Sequence, residues 1–170
     1  MAKIVYVSGG RRSGKSDFAQ NLALQLSDKP IYLATSRVWD SNHKERIDRH
    51  IEQRGDLWIT YEEQREISRC CFNKGDVVVI DCVTLWATNF FYDLNSNIDL
   101  SYRLMKEQIE LMINIDATFI FVSNEIGLGG ISSDEIQSKF CDLQGMINKF
   151  IAQVSSEAFL IVSGLPIKLK

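Results

Sequence analysis

The chain has 170 residues, 45% of them hydrophobic and 24% charged, which is the composition of about one globular domain rather than of a disordered tail, a collagen-like repeat or a coiled-coil rod. Nineteen basic residues against 22 acidic ones leave a net charge of −3, so no overall positive field favours nucleic acid or an anionic membrane as a partner. Nowhere do eighteen apolar residues run together, and Met1 leads straight into a short apolar run without a leader pattern. The expectation is a cytoplasmic protein with no nucleic-acid partner and no membrane insertion.

In chain order, short β-branched runs recur at Lys3–Ser8, Ile31–Thr35, Val77–Asp81, Thr118–Ser123 and Ala158–Ser163. Each is almost continuously apolar rather than alternating, as strands covered on both faces are. Helical periods fall between them. Phe18, Leu22 and Leu26 repeat at intervals of four, and Ile136, Phe140, Leu143, Ile147, Ile151 and Val154 at three to four, with Ser132 and Glu135 at capping-box spacing ahead of that second stripe. The only prolines are Pro30 and Pro166, and no Gly/Ser/Pro-rich linker divides the chain, so a single domain over 1–170 is expected. Strands alternating with helices predict an α/β fold with a mostly parallel sheet and helices on both faces. Ligands in such folds bind beyond the carboxyl ends of the strands.

Two residue types are assigned to packing. Trp39, Trp58 and Trp86 are read as core rings. Cys70, Cys71, Cys82 and Cys141 lack paired metal-ligand spacing and are read as buried or half-buried free thiols.

The segment after the first strand is Gly9-Gly10-Arg11-Arg12-Ser13-Gly14-Lys15-Ser16, a full G-x-x-x-x-G-K-[ST] pattern followed by a helical period. Glycines let successive backbone N–H groups turn toward phosphate oxygens, and the positive end of the following helix faces the same anion. Lys15 then reaches the β- and γ-phosphates of a nucleoside triphosphate, and Ser16 can ligate Mg²⁺. Such a site needs a carboxylate at the end of a neighbouring strand for the magnesium shell, and Asp81 closes the third run in that position.

Arg46, His50 and Arg54 stand four residues apart, so a helix over Asn42–Arg54 would place one imidazole between two guanidiniums. Those cations would keep the imidazole neutral near pH 7 and offer contacts to phosphate, and a neutral imidazole beside an anchored triphosphate is a nucleophile. From spacing alone, a solvated polar face with no ligand is the favoured reading. His43 lacks such neighbours and is read as surface. Glu62, after the Trp58–Tyr61 run, could meet a ribose, a metal or water, while Asn124-Glu125-Ile126-Gly127 follows the fourth strand on the ligand edge and is also a plain turn sequence.

Taken together, GGRRSGKS (Gly9–Ser16), YLATS (Tyr32–Ser36), RIDRHIEQR (Arg46–Arg54), WITYEE (Trp58–Glu63), IDCVTLWATN (Ile80–Asn89), VSNEIGLG (Val122–Gly129) and VSGLPIKLK (Val162–Lys170) resemble, in matching order from end to end, the bifunctional adenosylcobinamide kinase / adenosylcobinamide-phosphate guanylyltransferase family. The resemblance implies a RecA-like P-loop NTPase fold, a homotrimer, and two reactions. Adenosylcobinamide is phosphorylated with ATP or GTP, and GMP then passes from GTP to adenosylcobinamide phosphate through a GMP-histidine intermediate at the position of His50. It further implies nucleotide contacts at Gly9 to Ser16, at Ala34, Thr35 and Ser36, at Ile51, Glu52, Gln53 and Arg54, and at Glu62 and Asp81. This chain departs from the family pattern at Arg11, where many members have Ala, and at Ile51, Glu52 and Gln53, which lack a polar-then-glycine pattern. Some members have Glu in place of Asp81.

The mechanism expected is that the loop and Asp81 hold GTP with Mg²⁺, that His50 attacks the α-phosphorus, and that Lys15 and Arg54 stabilise the charge on the departing pyrophosphate. Two other readings fit a P-loop: a small-metabolite kinase without a covalent step, and a binding module switched by nucleotide.

Overall fold

A computed structural model describes residues 1–37, 55–130 and 132–170. Seven strands form one sheet: β1 (Lys3–Gly9), β2 (Ile31–Ala34), β3 (Ile59–Glu62), β4 (Val77–Asp81), β5 (Thr118–Asn124), β6 (Glu157–Val162) and β7 (Leu165–Lys168). Their order is β3-β2-β4-β5-β1-β6-β7, parallel throughout except for the antiparallel β6–β7 pair. The α-helices among the described residues are α1 (Lys15–Leu26), α2 (Val83–Asp93), α3 (Ile98–Ile113) and α4 (Glu135–Val154). The α/β expectation and all five apolar runs are met, with boundaries shifted by about one residue. Two short edge strands, β3 and β7, escape sequence patterning because both are largely exposed, and β7 carries Pro166, which only an edge tolerates.

The sheet has unequal faces. On one, Ile4, Ile31, Leu33, Val78, Ile80, Phe119 and Phe121 pack against Trp86, Phe90, Met105, Ile109, Leu143, Ile147 and Ile151 of α2, α3 and α4. On the other, Val5, Val7, Tyr32, Val77, Val79, Ile120 and Val122 meet Trp58 and the small Ala19 and Ala23 of α1. These alanines let α1 lie close to the sheet, so Phe18 and Leu22 flank the contact rather than centre it, and Leu26, in the last turn, is 46% exposed, outside the stripe the spacing predicted.

The second predicted stripe needs a similar correction. Leu143, Ile147 and Ile151 are buried, but no residue from Ser132 to Asp142 is, so Ile136 faces solvent. The cap is also not the Ser132/Glu135 box. Asp134 is the N-cap and accepts from Gln137 N at 2.8 Å, while the Ser132 hydroxyl sits outside the helix, accepting from Asp134 N and donating to Gln137 Oε1. Trp58 and Trp86 are core rings as expected; Trp39 lies outside the described residues. Of the cysteines, all free, Cys82 is buried and Cys70 and Cys141 half-buried, but Cys71 is exposed, because successive residues in extended chain face opposite ways.

Candidate functional site

β1 delivers the chain into a tight loop at the centre of the sheet's carboxyl edge. Gly9 cannot carry a side chain there: a Cβ would stand 2.5 Å from Ser13 Oγ and 2.6 Å from the Ile161 carbonyl oxygen of neighbouring β6. Arg12 (φ 57°) and Gly14 (φ 93°) take left-handed backbone to complete the curl, and Gly164, in the β6–β7 turn, donates from its N–H to Ser13 O at 2.8 Å. No side chain caps α1, so the N–H groups of its first turn are left for an anion. Lys15 Nζ rests on Gly10 O at 3.2 Å, and Ser13 Oγ, shielded from solvent, has no hydrogen-bond partner among the described residues. The loop is thus a cradle with donors waiting, and Arg11 and Arg12 project from it into solvent.

Strand register brings three other predicted residues into one row. Ala34 pairs with Asp81 on one side and Glu62 on the other, at the ends of β2, β4 and β3. Asp81 shares the face of Val77 and Val79, the face that α1 covers, and its Oδ2 accepts from the Tyr32 hydroxyl at 3.0 Å. The thiol of Cys82, next in the chain, is pushed up to about 12, chiefly by burial and then by the Asp81 carboxylate, with Lys15 opposing. Cys82 is thereby an inert packing thiol.

The donors suit Mg²⁺. Ser16 and Asp81 offer oxygens only, and the described residues contain no group of three His, Cys, Asp or Glu able to cage a metal. Mg²⁺ takes one or two protein oxygens together with substrate phosphates.

Beyond β2 and β3 the chain is held by α2. Thr35 donates from its hydroxyl to Cys82 O at 2.9 Å, and its own carbonyl accepts from Asn89 Nδ2 at 2.7 Å. The same amide donates to Gln64 O at 2.8 Å, and Trp86 Nε1 donates to Arg65 O at 3.0 Å. A cavity of about 590 Å³ opens here, lined in part by Arg37, Glu62, Gln64, Arg65 and Phe90. On the β5 side, Thr84 Oγ1 accepts from both Asn124 N and Nδ2 at 3.1 Å, which fixes the Asn124–Gly127 segment on the ligand edge.

The structure therefore brings together Gly9 to Ser16, Ala34, Thr35, Ser36, Glu62 and Asp81 along one sheet edge. His50, with Arg46, Ile51, Glu52, Gln53, Arg54, His43 and the predicted helix over Asn42–Arg54, lies outside the described residues. Sequence reasoning missed Tyr32, Trp86, Asn89 and Asp93. Trp86 and Asn89 belong to the IDCVTLWATN run, but only the fold shows what their polar atoms touch.

Comparison with known proteins agrees in both sequence and fold. Residues 5–169 match the family described as cobinamide kinase / cobinamide phosphate guanyltransferase. The chain is similar to the bifunctional adenosylcobalamin biosynthesis protein CobU of Escherichia coli, 31% identical with 98% of this chain and 99% of the relative covered. It is likewise similar to the bifunctional adenosylcobalamin biosynthesis protein CobP of Pseudomonas aeruginosa, 32% identical over 96% and 95% of the two chains. In fold it is similar to an ATPase from the type III secretion system of pathogenic bacteria, with a TM-score of 0.54 at 11% identity. That likeness covers 98% of this chain and 56% of the ATPase.

Proposed function

The chain belongs to the cobinamide kinase / cobinamide phosphate guanyltransferase family, and from that premise we propose that one nucleotide-binding domain over residues 1–170 carries both reactions at the sheet edge described above. It is a bifunctional enzyme of adenosylcobalamin biosynthesis, like its relatives. In the first reaction the aminopropanol hydroxyl of adenosylcobinamide takes the γ-phosphoryl group of ATP or GTP. In the second, GMP passes from GTP to adenosylcobinamide phosphate and pyrophosphate leaves.

The observation that carries this reading is the uncapped, glycine-curled loop facing the row of Glu62, Ala34 and Asp81. Backbone N–H groups of the loop and the start of α1 bind the triphosphate, and Lys15 exchanges its contact with Gly10 O for phosphate oxygen. Ser16 and Asp81 are the residues that would hold Mg²⁺, which when bound supplies charge neutralisation to the phosphates. Tyr32 orients the Asp81 carboxylate by its hydrogen bond. Ala34, Thr35, Ser36 and Glu62 meet the nucleotide beyond the phosphates, with Ile51, Glu52, Gln53 and Arg54 as further contacts.

Neutral His50 attacks the α-phosphorus, forming a P–N bond as the bond to the pyrophosphate oxygen breaks, and Lys15 and Arg54 stabilise the charge on the leaving group. The cobinamide phosphate oxygen then displaces the imidazole. Two displacements spare the site from aligning two bulky substrates at once. The enzyme works as a cytoplasmic homotrimer.

Product analysis tests the reading. With cobinamide, ATP, GTP and Mg²⁺, mass spectrometry should show cobinamide phosphate first and cobinamide-GDP second, with one pyrophosphate released per second product. Phosphorylation that stops at the first product defeats the two-reaction reading and leaves a simple kinase. Triphosphate binding without either product points to a switched binding module.

A further inference from the structure

Past Ala34 and Glu62 the backbone ladder ends after one bond each, Thr35 N–H to Asp81 O at 3.5 Å and Glu63 N–H to Ala34 O at 3.1 Å, and the described residues that follow, Thr35 to Arg37 and Gln64 to Arg65, are held by one stripe of α2. Asn89 is fully buried and divides its two amide protons between Thr35 O (2.7 Å) and Gln64 O (2.8 Å), one carbonyl from each loop. One turn further along the same helix, Asp93 repeats the arrangement with charge. Its carboxylate accepts a bidentate pair from Arg37 at 2.6 and 2.5 Å and a third bond from Arg65 Nη1 at 3.2 Å. Residues four apart on a helix share a face, so the two clamps are stacked. Arg37 Nε also donates to Gln64 Oε1 at 2.9 Å, joining the loops directly, and the Arg65 guanidinium lies 4.6 Å over the Phe90 ring. Of the residues so held, Arg37, Gln64 and Arg65 line one side of the 590 Å³ cavity, whose far wall is Leu104 and Gln108 of α3.

Sheet order gives the clamp its meaning. β2 is three strands from β1 and β3 is four, roughly 14 and 19 Å at the usual strand spacing. A triphosphate anchored in the β1 loop reaches that far only with its nucleoside end. The geometry points to Asn89 and Asp93 as positioning residues that set the gap between the two loops, and through it the grip on the nucleoside and the choice of base, without touching the phosphates. This rests on the reading above that Ala34 to Ser36 and Glu62 meet the nucleotide.

The test compares two probes, GTP and inorganic tripolyphosphate, by calorimetric titration of the full chain with Mg²⁺, alongside ATP for base preference. Asn89→Asp keeps the shape but turns both donors into acceptors facing carbonyls. It should weaken GTP roughly 5- to 100-fold, the cost of leaving such buried groups unpaired. Tripolyphosphate should stay within about two-fold, because the distant loop is independent. The preference for GTP over ATP should shrink. Should Asn89→Asp not fold, Asp93→Ala, at the partly exposed tier, decides the matter: GTP should weaken roughly 2- to 5-fold with tripolyphosphate unchanged.

A purely structural role would lower the melting temperature of a folded variant yet leave the ratio of the two dissociation constants at its wild-type value, and that result overturns the inference. Equal weakening of both probes overturns it too, as does a wild-type chain that binds tripolyphosphate as tightly as GTP. Because the readout is binding, it stands apart from the transfer chemistry. A chain that discriminates GTP in this way yet makes no cobinamide-GDP would refute the function and keep the positioning role.

Discussion

The phosphate loop and the rim beyond β2 and β3 are built on opposite principles. The loop takes most of its shape from its own eight residues, with two left-handed positions, a glycine that admits no Cβ and a helix start left uncapped, and is tied at Ser13 O by Gly164 N–H of the β6–β7 turn. The rim takes its shape from residues far along the chain, with Asn89 lying 54 positions after Thr35 and Asp93 lying 56 after Arg37. Local construction yields a rigid anion cradle that many sequences can share. Long-range construction yields a surface that can vary with the ligand, since changing one helix face moves two loops together.

Breaking the loop should cost most. Lys15→Ala removes a cation that rests on the exposed Gly10 carbonyl, so the melting temperature should barely change while both activities fall on the order of 10²- to 10³-fold, as for other lost transition-state donors. Steady-state rates on each substrate beside a thermal scan will show the split. Next in size, Gly9→Ala should destabilise by about 1–3 kcal/mol, because Ser13 can rotate away from the new methyl but the Ile161 carbonyl cannot. Urea unfolding measures it, and tripolyphosphate binding should weaken in parallel.

Disturbing the rim should do the reverse. Trp86→Phe keeps one aromatic ring but trims the fully buried indole and leaves Arg65 O without its donor, the lost bond alone costing about 1–3 kcal/mol in urea unfolding and the cavity adding to it, with tripolyphosphate binding intact. The smallest effect is electrostatic. Hydrogen bonding to Arg37 holds the Asp93 carboxyl below its ordinary value of about 3.9, outweighing a small opposing effect of burial. A depressed folded value stabilises above the unfolded one and is lost as pH falls through it. The Asp93→Asn variant should therefore be less stable than the wild-type chain from pH 5 to 8, by less than about 1 kcal/mol for so exposed a pair, and the difference should begin to shrink below about pH 4 and close only as pH falls through the depressed folded value.

The same contrast explains what the sequence made legible. The phosphate loop is readable because its chemistry is contiguous, and the five apolar runs because two covered faces leave no polar positions. Asp81 followed from its place at a strand end. Asn89 entered only as the last residue of the IDCVTLWATN motif, and nothing nearby in the sequence names Thr35 or Gln64 as its partners. The capping box failed because the helix begins at Glu135 itself, so Asp134, an equally good cap inside the motif, holds the N-cap position. Leu26 failed because a period locates a face but not how far the core extends along it.

The central claim is that this domain, having seated GTP in its loop, hands the nucleotide to a histidine. Incubation with GTP labelled at the α-phosphorus and Mg²⁺, followed by denaturation, tests it most directly. The account predicts label that stays on the protein in base, is released by acid, is discharged by cobinamide phosphate and is absent from His50→Ala. A wild-type chain that makes cobinamide-GDP while never retaining the label, or a His50→Ala variant that retains it, would contradict the account.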